Sequence, residues 1–133
     1  MRLISVAMPD VEKAWCETLP LIRRIAGSAP DLTLEDIWRS LRSGESEMWL
    51  AGNGTEPVAA VAITRLRSWD GETVAYVLGV ASNDQRAWRE IIPQWRSALK
   101  ARGASQIIIE GRDGWRRIFP EAVLIRQVFG VTL

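Results

Sequence analysis

The sequence contains no histidine and a single cysteine, Cys16. Without histidine the chain lacks the commonest general base, the commonest metal ligand and every Ser-His or Cys-His nucleophile arrangement. One cysteine forms no internal disulfide and implies a reducing, intracellular setting. With no cluster of cysteine and histidine there is no zinc ligand set, and no metal is expected. No apolar run approaches the roughly 20 residues that span a bilayer, so no membrane partner is expected. The apolar opening from Met1 to Met8 is short and is followed by Pro9 and Asp10, so it reads as a first strand and not as a signal segment. Tyr76 is the only tyrosine, and the 23 positions between Gly79 and Gly103 hold no glycine.

What remains is a chain of 133 residues, 47% hydrophobic and 25% charged. That is the size and balance of one globular domain with a real core. The net charge is +1, but residues 1–64 carry 6 basic and 9 acidic groups against 11 and 7 in residues 65–133. The basic half suits an anionic ligand such as a phosphate-bearing cofactor or a nucleic acid, or it is a solvated arginine surface.

Hydrophobic spacing orders the elements. After the first strand, Asp10 is a candidate cap for a helix with Val11, Ala14, Trp15, Leu19 and Ile22 on one face, which Pro20 should kink or split. Cys16 reads there as a small packing residue. Thr33-Leu34-Glu35-Asp36 has the form of a capping box, and Gly44 closes the helix behind it. Three strands follow: Met48–Ala51, 57–66 and 72–81. Gly52-Asn53-Gly54 and Asp70-Gly71 separate them as tight-turn signals. Asn83 or Asp84 can cap the next helix, whose stripe is Trp88, Ile91, Ile92, Trp95 and Leu99, with Pro93 expected to bend it. Gly103 ends it, and a strand over 105–110 contains Ile107-Ile108-Ile109. Asp113 then caps a short helix to about Phe119, and 123–132 reads as a last strand. The order is β-α-α-β-β-β-α-β-α-β, an α/β (α+β) domain with a mixed, mostly antiparallel sheet.

That order, together with Leu78-Gly79-Val80-Ala81-Ser82, Lys100-Ala101-Arg102-Gly103-Ala104 and Gly111-Arg112-Asp113-Gly114-Trp115, resembles the GNAT family of acyl-CoA-dependent N-acetyltransferases. The phrase from Ile109 to Trp115 is also similar to small GNAT-like proteins encoded by phages and prophages. The resemblance implies a single GNAT-like domain that binds acetyl-CoA. It puts the pantetheine arm on Val80, Ala81 and Ser82, and the pyrophosphate at Asn83 to Ala87, including Asp84, Gln85, Arg86 and Ala87. Unpaired amides and the helix dipole favour an anion at such a place.

The sequence departs from the family pattern in two places. The turn holds no glycine where the family has two small residues, and a Cβ there blocks close approach to phosphate. Trp88 could fill that space. Arg86 and Arg89 either pair with phosphate or decorate the exposed side of the helix. The family's acid position, counted from Gly111, falls on Ile118, which cannot donate a proton. Tyr76 is the remaining phenol, as acid or as a packing residue. Glu110, at the end of an interior strand, is the candidate base, or it pairs with Arg112 or Arg117. Glu47 and Glu72 read as solvated strand ends.

Two functions follow. The first is an acyl-CoA-dependent N-acetyltransferase with a divergent pyrophosphate loop, acting on an unidentified amine acceptor or protein partner in a bacterial cytoplasm. The second is a catalytically degenerate phage or prophage protein, a virion-associated, assembly or binding component that uses its seven tryptophans and its basic half. Trp69, on a turn tip, would serve such an interface if exposed. A homodimer fits either function.

Overall fold

The computed structural model describes residues 1–54, 57–111, 115–125 and 129–133, and of Gln85 the backbone alone. Its strands are β1 (Arg2–Ser5), β2 (Ser46–Gly52), β3 (Ala60–Trp69), β4 (Glu72–Ser82) and β5 (Ile107–Ile109). Its helices are α1 (Val11–Gly27), α2 (Leu34–Ser43), α3 (Gln85–Ala101) and α4 (Trp115–Ile118). The five strands form one sheet in the order β1-β2-β3-β4-β5. Every pairing is antiparallel except β4 with β5, which is parallel across the α3 crossover. No helix among the described residues is long and apolar enough to cross a membrane.

Strand alternation splits the core in two. Trp49, Ala51, Ala62, Ala75 and Val77 face α3 and meet Trp88, Ile91, Trp95 and Leu99. Met48, Val61, Ile63 and Ala81 face the other way and meet Ile22 and Ile25 of α1 and Ile37 and Leu41 of α2. Period-2 strands thus present one apolar row to each helical layer, and the helices answer with stripes of period 3.6.

The local signals explain most boundaries. Asp70 and Gly71 both have positive φ (48° and 79°), which lets two residues connect the paired Trp69 and Glu72. Trp69 is half-buried there, so the turn tip presents no fully exposed aromatic. Thr33 and Asp36 form the reciprocal capping box, and Gly44 takes the left-handed conformation that ends α2. Asn53 and Gly54 do not make a two-residue turn, because β3 starts only at Ala60 and its first partner is Ala51.

Several expectations are corrected. Asp10 makes no side-chain cap bond; a 3₁₀ turn, Met8–Asp10, leads into α1 instead. Pro20 does not split α1; Pro93 likewise lies inside a continuous α3. Both are exposed, as are Cys16 and Arg89, whose carbonyls lose their i+4 donor and can turn to water. Cys16 is exposed and not packed. Glu47 is no solvated strand end: the Ser5 hydroxyl donates to it, and Arg102 reaches it through Nε (3.2 Å) and Nη2 (2.8 Å). Arg102 also lies 5.3 Å from the Trp49 ring, and its hydrogen bond to Glu47 raises its pKa. Asp113 and Arg112 lie outside the described residues. The last strand is not formed at Val123–Ile125 or at 129–133, where Val123, Leu124, Phe129 and Val131 are exposed. An apolar run supplies strand propensity, but a strand needs a partner edge, and β5 offers only three residues.

One irregularity shapes the sheet. The β3–β4 register shifts between Ile63 and Thr64: Ile63 pairs with Gly79 and Thr64 with Val77, leaving Leu78 without a partner. The bulge puts two successive positions on the same face. Leu78 packs with the α1 layer, and a Cβ built on Gly79 would overlap Cγ2 of Ile25. A side chain at 79 therefore collides with α1.

Gly79→Ala is expected to cost about 1–3 kcal/mol by overpacking. In urea unfolding, the double variant Gly79→Ala/Ile25→Ala should lose clearly less than the sum of the two single variants. Hydrogen bonding to Thr33, through its side chain first and its backbone N–H second, lowers the pKa of the Asp36 carboxyl. A depressed carboxyl pKa means that the capping contribution is full above the unfolded value and fades as pH falls through the folded one. Thermal unfolding followed from pH 7 to about pH 3 should therefore lose less on acidification in Asp36→Asn than in the parent chain.

Candidate cofactor site at the end of strand β4

The candidate site grows from the bulge. β5 pairs with β4 only at Ala75, Tyr76 and Val77, so past Val77 the β5 side of β4 has no strand partner among the described residues. On its other side β4 keeps pairing with β3 to Ser82, and the Asn83 N–H still donates to the Ala59 carbonyl at 2.8 Å. Hydrogen-bonded pairs alternate along an antiparallel ladder. With Asn83 and Ala59 bonded, Ala81 and Gly79 also turn their backbone groups to β3. Val80 and Ser82 turn theirs to the open side.

The open edge runs straight into a helix N-terminus. The Ser82 hydroxyl donates to the Asp84 carbonyl (2.6 Å) and accepts from the Asp84 N–H (3.0 Å). Asp84 is the cap: its carboxylate accepts from the Arg86 N–H at 2.9 Å. The Trp88 N–H reaches the Asp84 carbonyl at 3.4 Å. The N–H groups of Gln85 and Ala87, in the first turn, have no helical acceptor. The cap stabilises α3, yet it occupies one amide and places a negative charge where an anion would dock.

Other predicted site residues are placed as follows. Trp88 does not cover the turn; it is buried in the α3 layer, edge-to-face with Trp95 at 4.9 Å. Neither indole N–H has a protein acceptor. Arg86 and Arg89 are exposed. Tyr76 is half-buried inside the closed part of the ladder, between Arg65 and Ile108, with the Arg67 guanidinium 4.5 Å from its ring. Glu110 is exposed one residue past β5, where the two strands part. The structure thus brings Tyr76 and Glu110 to neighbouring strands. Trp115 closes over the same strand end, its indole so near Gly111 that a Cβ there would lie 2.7 Å from Nε1.

Two features escaped the sequence reading. The bulge had a signal, since glycine inside a strand marks a bulge or a close approach. Arg24 had none. It projects from α1 and its Nη1 donates to the Ser82 carbonyl at 3.0 Å, across 58 positions of sequence.

No family model and no curated relative matches the sequence. Solved structures do. An aminoglycoside acetyltransferase from an uncultured soil metagenomic sample, in complex with sisomicin, superposes with a TM-score of 0.70 at 14% identity, covering 99% of this chain and 95% of its own. A ribosomal-protein-alanine N-acetyltransferase from Brucella melitensis gives 0.67 at 14% identity, covering both chains completely. An aminoglycoside antibiotic 6′-N-acetyltransferase from Acinetobacter baumannii gives 0.67 at 12%, covering 99% of this chain and 97% of its own. At such identities the likeness is one of fold. The chain has the GNAT acetyltransferase fold, and these likenesses lend no support to a phage or prophage origin.

Asp84→Ala should lower stability by about 1 kcal/mol through loss of the cap, and Asp84→Asn by only a few tenths. Chemical denaturation of the two variants measures the difference.

Proposed function

We propose that this chain is an acyl-CoA-dependent N-acetyltransferase with a divergent pyrophosphate loop. The observation that carries the reading is the open edge of β4, with Val80 and Ser82 turned to it, leading directly into the amides of α3. A pantetheine arm laid along that edge has backbone partners in Val80 and Ser82. Ala81, committed to β3, contributes packing. The diphosphate then falls at the first turn of α3, beside the N–H groups of Gln85 and Ala87 and the side chain of Arg86.

In the reaction a neutral amine attacks the thioester carbonyl. A C–N bond forms and the C–S bond breaks, while the Val80 N–H stabilises the charge that develops on the carbonyl oxygen. The amine proton passes to Glu110, directly or through water, and the departing thiolate takes a proton. Tyr76, held under Arg67, is the phenol nearest in sequence to the open edge and the candidate acid. The names of the similar structures, which act on aminoglycosides or on a ribosomal-protein alanine, support a primary amine as acceptor.

Calorimetric titration with acetyl-CoA and CoA should show micromolar binding. Asp84→Asn should bind more tightly than the parent, because it keeps the cap and removes the charge that opposes the diphosphate. Absence of binding at millimolar ligand sinks the reading and leaves a non-catalytic binding role for the same fold. Thiol release in the presence of an aminoglycoside or an alanine-terminated peptide then tests turnover, with Cys16→Ser as the enzyme because Cys16 is exposed.

A further inference from the structure

We propose that Arg24 is a diphosphate-binding residue, a cation supplied by α1 to the open edge of β4 in place of the glycine that the β4–α3 turn lacks. The proposal rests on the cofactor reading above and adds a residue that neither the motif nor the helix N-terminus provides.

Three observations converge on it. The first is position. Ile25 is seated on Gly79, so the last turns of α1 lie across β4 beyond the bulge. The neighbouring Arg24 reaches the Ser82 carbonyl, a group that the ladder turns away from β3 and toward the open side. The second is charge. Four other arginines are tethered by carboxylates: Arg39 by Glu35 (2.7 Å), Arg65 by Glu45 (3.8 Å), Arg96 by Glu121 (2.5 Å) and Arg102 by Glu47 (2.8 Å). Arg24 is held by a neutral carbonyl and has no carboxylate partner among the described residues. One Nη1 bond leaves its Nε and Nη2 donors for a ligand, and a guanidinium fork matches phosphate oxygens two at a time. The third is need. The Asp84 carboxylate stands at the same turn and takes the Arg86 N–H, so an arriving diphosphate meets a like charge and one amide fewer. A tethered cation offsets both.

The test compares CoA and 3′-dephospho-CoA binding by the full chain and by Arg24→Ala and Arg24→Lys. Arg24→Ala should bind both ligands about tenfold more weakly, the size of one lost charge-assisted contact, and Arg24→Lys should fall between. The factor should shrink with added salt, and the thermal midpoint of the ligand-free protein should not move. Equal affinity in the parent and Arg24→Ala overturns the proposal. A loss seen with CoA and absent with dephospho-CoA moves Arg24 to the 3′-phosphate and overturns it too. A lowered midpoint with unchanged affinity makes Arg24 a structural tie between α1 and β4. If the parent chain binds neither ligand, the cofactor reading falls and takes this inference with it; if the parent binds and Arg24→Ala matches it, only the inference falls.

Discussion

Leu78 has no partner in β3, and much of the molecule follows from that one unpaired residue. A bulge bends a strand, increases its twist and reverses the parity of every side chain beyond it. Here the reversal turns Gly79 toward α1, and only a glycine lets Ile25 sit so close. The approach of α1 carries Arg24 to the end of β4. On the other side, β5 stays with β4 for three residues and then leaves it, opening the edge that the cofactor reading uses. Sheet geometry, helix packing and a candidate binding edge are consequences of the same insertion.

The end of that edge combines opposing demands. α3 needs a cap, because the amides of its first turn have no helical acceptor, and Asp84 supplies one. An anion would use those same amides and the same dipole. A glycine-rich turn leaves such amides free at the cost of chain entropy; this turn is held by the cap and by Ser82 bonded at both ends of Asp84. Such a turn is better ordered and less receptive to phosphate, so side-chain cations become the natural complement.

Most of the local signals held. The Asp-Gly turn, the Thr33–Asp36 capping box, Gly44, the Asp84 cap and the α3 stripe all act within a few residues, through backbone angles or hydrogen bonds that the residue type itself favours. The expectations that failed depended on surroundings. Pro20 did not split α1, because the carbonyl it releases lies on an exposed residue. Glu47 found Arg102, which lies 55 positions away. Of the apolar run from Val123, residues 123–125 and 129–133 gained no sheet edge.

The amino-acid order by itself determined the succession of strands and helices as far as α4, the two faces of the sheet and the absence of any histidine chemistry. These depend on periodicity, turn chemistry and composition, which are written locally. Tertiary structure alone decided where β4 and β5 would part and which cation would stand at the end of β4. Those outcomes depend on register and on contacts between residues tens of positions apart, and no local pattern encodes which of several arginines a folded helix will bring to the Ser82 carbonyl.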